Sequence, residues 1–500
     1  MLDALLEALS MIFTWPLIGW LVLGILLGMI IGSIPGVGTA MGIAILVPLT
    51  LPLDGLSAII LLIGIYSGGA YGGSIPAILI NAPGTGAAAA TTLDGYPMAR
   101  KGQAVTAIAT SATVSSIGGV IGFMIFIALS PVLIYLVLLF GSPEYFLIAF
   151  LGIAMITIVA QGSIVKGMVA GSFGLLLTAV GIAPGTAEVR YTFDMFSLYD
   201  GVDFIAVLIG LFAVAEMFQL GSEKGSIASQ GIEMAGSVAE GIRNAIRYPV
   251  LIIKSALIGL GIGAVPGSGA SVSTFVAYGE AMRTEKDPDS FGTGNIRGVI
   301  SAEACNNATV GGSLIPTLSF GIPGSGSSAA LLAGLLLHGF QPGPSLFTDE
   351  LAATYTIILA LILGNIVVFF VGISLVTKLS YVTAIDTNVI IPVVVVLSVL
   401  GGFSLRSNWI DVFTILLLGL LGYYMKLYDF SIIAFVLGAV LGPIAETNLL
   451  RSLQISGGSL DIFYTRPLSL LLIAAIVVLL FAPLFRRIYN TAQSKIDSVG

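Results

Sequence analysis

The sequence predicts an all-α polytopic membrane protein with two inverted repeats, whose helical hairpins are broken by Pro and Gly. Of the 500 residues, 57% are hydrophobic and 9% are charged, whereas soluble domains devote about a quarter to charged residues. Apolar stretches of the length that crosses a bilayer, roughly 20 residues, recur along the chain. Two Pro-Gly motifs also occur in the same order in both halves. We expect about 10–14 transmembrane spans.

The two motifs indicate an internal duplication. The first is "GILLGMIIGSIPGVGTA" at 24–40 and "GLGIGAVPGSGAS" at 259–271, and the second is "GGSIPAILINAPGTG" at 72–86 and "GGSLIPTLSFGIPGSG" at 311–326. In this alignment Asn81 lies opposite Phe320. The other matched positions are Pro35, Gly36 and Gly38 with Pro266, Gly267 and Gly269, and Pro83, Gly84 and Gly86 with Pro323, Gly324 and Gly326.

A polar stretch separates the two halves. We predict a first membrane repeat at 1–220, a linker at 221–248, a second repeat with additional C-terminal spans at 249–485, and a cytoplasmic tail at 486–500. The linker is the longest polar stretch of the chain, and it contains Glu, Lys and Arg residues where the apolar pattern stops.

The cations predict that the repeats are inverted. In the first half, Arg100 and Lys101 follow the second motif, whereas in the second half Arg283 and Lys286 follow the first motif. Because Lys and Arg concentrate in cytoplasmic connections, equivalent connections would lie on opposite sides of the membrane. Inverted repeats of this kind occur in many secondary transporters.

Each Pro-Gly break predicts two half-helices, because Pro removes a backbone donor and Gly permits helix-ending conformations. The half that starts after a break presents N–H groups to an anion, and the half that ends before it presents carbonyl oxygens to a cation. A stripe of small residues, Gly24, Gly28, Gly32 and Gly36, instead indicates close helix packing. The candidate substrate-binding residues are Pro35, Gly36, Gly38, Asn81, Pro83, Gly84, Thr85, Gly86, Pro266, Gly267, Ser268, Gly269, Pro323, Gly324, Ser325 and Gly326.

A second set of polar residues precedes the last break. Glu303, Asn306 and Asn307 lie there, and Ser67 occupies the corresponding part of the first half. A carboxyl group at membrane depth is costly and indicates function, so these four residues are candidates for binding the coupling ion. The alternative is that Glu303 lies at the membrane interface beside Arg297.

Several classes of function are disfavoured. A single Cys305 supports neither a disulfide framework nor a multi-Cys metal site, and the net charge of −7 gives no basic face for nucleic acid. Neither Pro-Gly-x-Gly is followed by the Lys of a nucleotide-binding loop. We expect no cofactor, and only Na⁺ or H⁺ as coupling ion, with Na⁺ ligands left open.

The segments "GSIPGVGTAMGIAILVPLT" and "NNATVGGSLIPTLSFGIPGSGSSAALLAGLLLHGFQPGP" resemble the large membrane subunit of the bacterial tripartite tricarboxylate transporters. The resemblance implies a symporter that imports tricarboxylates or related carboxylates across the bacterial inner membrane. Arg486 and Arg487 separately predict a cytoplasmic C-terminus. It also implies two protein partners, a small four-span membrane subunit and a periplasmic substrate-binding protein.

Two other functions remain open at this point. One is a polytopic membrane enzyme that acts on a lipid-borne substrate with Glu303 as general base. The other is a passive anion channel. Duplicated, broken helices favour the transporter over both, so we do not expect an enzyme.

Overall fold

The computed structural model describes residues 1–159, 163–184, 186–222, 234–375 and 387–479. The predicted tail at 486–500 and residues 223–233 of the predicted linker lie outside this part of the chain. The first helices are α1 Leu2–Ile12, α2 Leu17–Gly32, α3 Gly38–Leu46, α4 Gly55–Gly72, α5 Ser74–Ile80, α6 Ala89–Met98 and α7 Ala104–Leu139. Short 3₁₀ turns at Pro48–Thr50 and Gly86–Ala88 and a π turn at Ala99–Gln103 lie between them.

The middle of the chain contains shorter elements. They are α8 Ser142–Val159, α9 Ile164–Leu177, β1 Gly181–Ile182, β2 Val189–Arg190, α10 Phe204–Leu208, α11 Ala215–Ser222 and α12 Val238–Arg247. The two strands pair antiparallel, with Gly181 opposite Arg190. A 3₁₀ turn covers Phe196–Leu198, and a π turn at Ile209–Val214 joins α10 to α11.

The second half repeats the helix pattern of the first. Its helices are α13 Pro249–Gly263, α14 Gly269–Arg283, α15 Ile296–Phe320, α16 Gly326–Leu337, α17 Pro344–Phe347 and α18 Leu351–Ser374. A 3₁₀ turn at Pro288–Ser290 precedes α15. The last described helices are α19 Thr387–Arg406, α20 Trp409–Leu427, α21 Ile432–Ile455, α22 Ile462–Thr465 and α23 Pro467–Leu479.

This architecture confirms an all-α polytopic membrane protein. Within the described ranges, 7 helical segments are long and apolar enough to span a bilayer, or up to 9 when two bent pairs count as spans. The bent pairs are α1 with α2, at 72°, and α12 with α13, at 77°. Four shorter apolar helices, α8, α9, α16 and α23, accompany them.

Packing divides the chain into two compact units. Unit 1 contains Met1–Val137 and Val202–Leu427, and unit 2 contains Leu138–Gly201 and Tyr428–Gly500. Both pairs of Pro-Gly motifs belong to unit 1. The predicted linker at 221–248 divides the sequence into repeats, whereas the two compact units are defined by packing. The two divisions therefore have different boundaries.

Glycines bring α2 and α4 into backbone contact. A Cβ on Gly24 would overlap the carbonyl oxygen of Leu61, and one on Gly32 would overlap that of Gly69. The packing interpretation is therefore confirmed for this stripe, except at Gly36, which lies beyond the end of α2. The residue numbers of the contact pairs rise in the same direction along both helices, so α2 and α4 run parallel.

The second repeat packs in the same way. A Cβ on Gly259 would lie 2.5 Å from the carbonyl oxygen of Cys305, and one on Gly263 would lie 2.6 Å from that of Thr309. α13 and α15 therefore also run parallel, as their equivalents α2 and α4 do.

The two repeats are inverted relative to each other. Along α4, α5 and α15, Ser74 bonds Glu303 and the carbonyl oxygen of Ala70 accepts a bond from Asn306. Tyr66, further back on α4, bonds Ser313, further on along α15. Equivalent helices therefore run antiparallel, which confirms the inverted relationship.

Inversion places equivalent connections at opposite ends of unit 1. Lys101, after α6, donates to the carbonyl oxygen of Thr293 at 2.6 Å, so the connections at 99–103 and 284–295 meet at one end, named here the cation-bearing end. At the other end Thr50, after α3, bonds His338, after α16, at 2.8 Å. This arrangement agrees with the charge pattern of the sequence.

Candidate substrate and cation sites

The first break of each repeat interrupts a helix, as predicted. α2 ends at Gly32 and α3 begins at Gly38, and the equivalent gap separates α13 from α14. Gly36 and Gly38 have φ values of 82° and 65°, and Gly267 and Gly269 have values of 72° and 67°. Residues with a Cβ rarely adopt this left-handed conformation, which explains why both motifs need Gly at these positions.

The second break follows a left-handed helix end in each repeat. α5 ends before Asn81, with a φ of 56°, and α15 ends before Gly321, with a φ of 69°. The structural equivalent of Asn81 is thus Gly321, and the sequence alignment with Phe320 is wrong by one residue. The second half has one more residue between Ser313 and Pro316 than the first half has before Pro76.

All four breaks come together in unit 1. The N–H of Gly84 donates to the carbonyl oxygen of Gly73 at 3.0 Å, and a Cβ on Gly84 would overlap the carbonyl oxygen of Gly32. In the second repeat, the N–H of Gly269 donates to the carbonyl oxygen of Gly324 at 3.4 Å. Backbone therefore contacts backbone at both pairs of breaks, and Gly84 and Gly324 have no room for a side chain.

Contacts between the repeats join the two pairs. A Cβ on Gly86 would lie 2.5 Å from the Ser271 hydroxyl, and one on Gly326 would lie 3.6 Å from the Cβ of Ala40. The broken segments of the two repeats thus form one cluster, named here the break cluster. Pro35 and Pro323 are buried in it and Pro83 and Pro266 are half-buried, whereas Asn81 is exposed.

Some hydroxyl groups of the break cluster form hydrogen bonds within the protein, and others have no partner. Ser325 bonds the Tyr66 hydroxyl at 3.0 Å and caps α16 together with Ser328, and Ser268 donates to the carbonyl oxygen of Ile262 at 2.6 Å. In contrast, the hydroxyl oxygens of Thr39 and Thr85 are buried without a hydrogen-bond partner. These two groups are available to a ligand.

Glu303 is completely buried. Its carboxylate accepts hydrogen bonds from Ser74 at 2.6 Å, from Ser115 at 2.9 Å and from Thr91. Arg297 is not a partner of this carboxylate, because it pairs with Glu285 and lies 5.2 Å over the ring of Tyr248. Glu303 therefore lies among hydroxyl groups.

The two amides beside Glu303 leave oxygens free. Asn306 donates its NH₂ to the carbonyl oxygen of Ala70 at 2.9 Å, and Asn307 donates to the side-chain oxygen of Asn365 at 2.7 Å. These acceptors fix both amide orientations. The side-chain oxygens of Asn306 and Asn307 and the hydroxyl of Ser67 are buried without a partner, as the hard oxygen ligands of a cation would be before it binds.

Asn365 was not anticipated from the sequence. It lies on α18, far along the chain from Asn307, and it donates to the carbonyl oxygen of Leu361 at 2.8 Å. Its only sequence signal is that it is an amide within a strongly apolar span. Gly364, its neighbour, lies against Ser67, because a Cβ there would be 3.7 Å from the Ser67 hydroxyl.

The rival enzyme would need a second ionisable group at Glu303. Across the described residues, no group of three or more His, Cys, Asp or Glu side chains could hold a metal ion. The carboxylate partners are hydroxyl groups, and the neighbouring Tyr71 hydroxyl is buried and has no hydrogen-bond partner.

Comparison with known proteins decides the family. A model of the tripartite tricarboxylate transporter TctA family matches residues 18–437. The chain belongs to this family. As a TctA-family protein it is the large membrane subunit of a tripartite tricarboxylate transporter, a class that works with partner membrane and binding-protein subunits.

Two relatives of this TctA-family chain come from Agrobacterium vitis. One, an uncharacterised 52.8 kDa protein in the TAR-I ttuC' 3' region, is 34% identical over 434 residues, which cover 86% of each chain. The other, an uncharacterised protein in the TAR-II ttuC' 3' region, is 32% identical over 208 residues, covering 42% of this chain and 86% of the relative. No solved structure shows significant similarity.

Proposed function

We propose that the chain catalyses secondary, cation-coupled uptake of tricarboxylates or related carboxylates across the bacterial inner membrane. The observation that supports this proposal is the convergence of four matched helix breaks, two from each inverted repeat, in one cluster. Backbone N–H groups at the starts of the half-helices and the free hydroxyls of Thr39 and Thr85 suit carboxylate oxygens. Broken helices at the interface of inverted repeats are typical of transport sites.

The coupling ion would bind beside the carboxylate at Glu303. Its candidate ligands are the free oxygens of Asn306, Asn307 and Ser67, and Glu303 supplies the negative charge one helical turn away. An ion bound here offsets the cost of a buried carboxylate. Na⁺ would use the amide and hydroxyl oxygens, whereas H⁺ would bind Glu303 itself.

The proposed partners follow from the family. They are a small four-span membrane subunit within the bilayer and a periplasmic binding protein that delivers the carboxylate. The cation-bearing end of unit 1 would face the cytoplasm.

Uptake into proteoliposomes tests the proposal. Vesicles that contain the chain with both partners are given radiolabelled citrate or succinate, first with an inward Na⁺ gradient and then with a proton gradient alone. Accumulation above equilibrium that requires one gradient supports coupled uptake and identifies the ion. Equilibrative flux supports the channel instead, and absence of flux for a broad panel of acids contradicts transport.

Matched glycine variants test the break cluster. Gly84→Ala should abolish uptake, because its Cβ overlaps the carbonyl oxygen of Gly32, and Gly324→Ala should act in the same way, 2.7 Å from Ser313. Gly279→Ala and Gly261→Ala are the controls, because a Cβ there meets nothing within 4 Å. Normal uptake by a correctly inserted Gly84→Ala or Pro83→Ala/Gly84→Ala variant would exclude this cluster as the site.

A further inference from the structure

A half-buried ion pair of unit 1 lies beside the first break of the first repeat. The Nζ atom of Lys426, in the last turn of α20, donates to the Oε2 atom of Glu216 on α11. A Cβ on Gly36 would lie 3.5 Å from the other carboxylate oxygen of Glu216 and 2.9 Å from the side chain of Leu220. The ion pair therefore adjoins the break cluster, to which the proposed function assigns the substrate carboxylates.

The pair lies in membrane-spanning helices. Counted from Phe204, Glu216 is the thirteenth residue of the 19-residue segment Phe204–Ser222. Phe212, about one turn before Glu216, lies 3.0 Å from where a Cβ on Gly326 of the second repeat would be. The helix that carries Glu216 thus lies against broken segments of both repeats. Ionisable residues in membrane-spanning segments are costly and mark substrate and ion pathways.

Lys426 retains capacity for another hydrogen bond. Within the part of the chain that the structure describes, Glu216 is its one hydrogen-bond partner, whereas an ammonium group has three N–H donors. The side chains of Lys426 and Glu216 are 31% and 15% exposed, so the protein does not close the pair off. Lys426 can therefore bind a second acceptor while it still contacts Glu216.

Open space and neutral donors lie next to the pair. α3 begins at Gly38, two residues after Gly36, and no side chain caps its first N–H groups. A Cβ on Gly38 would meet nothing within 4 Å. The hydroxyl of Thr39, a residue only 5% exposed, has no hydrogen-bond partner. A carboxylate at the start of α3 would thus find neutral donors close to the ammonium group of Lys426.

Other cations of unit 1 are engaged elsewhere. Lys101 lies at the cation-bearing end, Arg283 ends α14 there, and Arg406 pairs with Asp411. A dicarboxylate or tricarboxylate carries more than one negative charge, and neutral N–H and hydroxyl donors offset only part of it. Hydrogen bonds from an ionised donor are roughly twice as strong as neutral ones. A cation beside the break cluster would therefore favour substrates with several carboxylates.

We infer that the Lys426 ammonium group contacts one carboxylate of a substrate that carries at least two. Glu216 is a positioning residue, which holds this ammonium group beside the break cluster and competes with the substrate for it. The inference rests on the proposed function and deepens it, because it assigns the preference for di- and tricarboxylates over monocarboxylates to a named contact.

Opposite effects of the two partners test the inference. The chain and its small membrane subunit are placed in nanodiscs, and the dissociation constants of radiolabelled citrate and succinate are measured by scintillation proximity. Lys426→Met should weaken binding roughly 30-fold through loss of a hydrogen bond from a charged donor, whereas Lys426→Arg, which keeps the charge, should retain most of the affinity. Glu216→Gln should tighten binding roughly 3-fold, because competition by a partly exposed carboxylate is removed.

A double variant and a second ion pair provide the controls. Glu216→Gln/Lys426→Met should bind as Lys426→Met does, because Glu216 acts on the substrate through Lys426. Lys254→Met and Glu280→Gln, which break an ion pair near the cation-bearing end, should bind both acids as the wild type does. Thermal unfolding of each variant measures its stability separately from its affinity.

An ion pair that only holds α11 against α20 predicts a different pattern. Glu216→Gln and Lys426→Met would then lower the melting temperature alike, and both would weaken binding or leave it unchanged. Such parallel effects on affinity would overturn the inference.

Butyrate provides a matched ligand, because it has the chain length of succinate but a single carboxylate. Its ability to compete with labelled succinate should be the same in the wild type and in Lys426→Met. An equal loss of affinity for butyrate and succinate would contradict a contact that reads the second carboxylate.

Uptake by the complete complex distinguishes failure of the inference from failure of the proposed function. Proteoliposomes that contain the chain and both partners should accumulate substrate at a lower initial rate with Lys426→Met than with the wild type. Equal dissociation constants and equal initial rates, alongside normal wild-type accumulation, would overturn the inference and leave the transport proposal standing. Absence of both wild-type binding and wild-type uptake would overturn both.

Discussion

The Glu303 carboxylate of the second repeat accepts a hydrogen bond from the Ser74 hydroxyl of the first repeat at 2.6 Å. The two repeats therefore share one buried carboxyl group. Ser115, on α7, donates to its other oxygen, so several helices orient the group. A rearrangement of one repeat against the other would change the environment of this group.

Glu303→Gln should abolish gradient-driven accumulation, because the neutral amide cannot balance a cation. The amide NH₂ cannot accept the hydrogen bond that a carboxyl oxygen accepts, so the variant should also lose about 2 kcal/mol in the free energy of unfolding. Uptake in proteoliposomes and thermal unfolding in detergent measure the two effects. Glu280→Gln, which alters a carboxylate paired with Lys254 and Arg283, is the control, and equal accumulation by both variants would contradict a coupling role for Glu303.

Asn365→Ala should raise the cation concentration that gives half-maximal uptake. Asn307 loses the acceptor that orients its amide, and the loss of one such hydrogen bond corresponds to roughly a 10-fold effect. Half-maximal substrate concentration should change much less, and the two titrations distinguish a cation effect from general damage. An unchanged cation titration would remove Asn365 from the site.

Gly28→Ala should destabilise the protein without a specific effect on substrate recognition. Its Cβ would lie 2.8 Å from the backbone nitrogen of Gly69 and overlap the carbonyl oxygen of Ile65. Overpacking of this kind costs about 1–3 kcal/mol. Thermal unfolding should show the loss, whereas Gly261→Ala should unfold like the wild type; equal stabilities would mean that α2 and α4 can separate without penalty.

Asp94→Asn should weaken the contact between repeats at the cation-bearing end. The buried carboxylate accepts bonds from the backbone N–H groups of Gly294 and Asn295, both at 2.7 Å, and from the Tyr278 hydroxyl at 2.9 Å. We expect a loss of about 2 kcal/mol in unfolding free energy. Tyr278→Phe removes one of the three bonds and should cost less; a larger loss in Tyr278→Phe would contradict the assigned role of Asp94.

His338 should make stability depend on pH at the opposite end. Burial lowers the pKa of His338, although Asp54 acts in the other direction. A lowered pKa favours the neutral ring, so its stabilising effect is present above about pH 6.5 and is lost as pH falls through the lowered value. The difference in melting temperature between the wild type and His338→Gln should be larger at pH 7.5 than at pH 5, and a constant difference would exclude this titration.

The breaks and the inversion could be predicted from the sequence because their causes are local. Pro and Gly restrict or release the backbone at their own positions, so the gap around Gly36 recurs at Gly267. Lys and Arg likewise indicate which connections are cytoplasmic, because they act through their own positions in the sequence. The equivalence of Asn81 with Gly321 could also be read, because the match of Pro83 with Pro323 has the same offset. The alignment with Phe320 instead kept the offset of Ser74 and Ser313 past the one residue added before Pro316.

The polar contacts could not be predicted in the same way. Thr91 and Ser115 reach Glu303 from separate helices, and small hydroxyl residues are common throughout an apolar chain. Asn365 meets Asn307 only because α18 packs beside the repeats. Tertiary packing, rather than residue type, selects which hydroxyl or amide becomes a ligand.

The antiparallel arrangement of α4 and α15 also has an evolutionary consequence. A half-length protein that packed in this way would have to assemble with a second copy inserted upside down in the same membrane. Such a protein would need almost no orientation bias, whereas the few cations of the present chain, including Lys101 and Arg283, favour one orientation for each repeat. Moving those few cations to the other connections would reverse the preferred orientation of a repeat expressed alone.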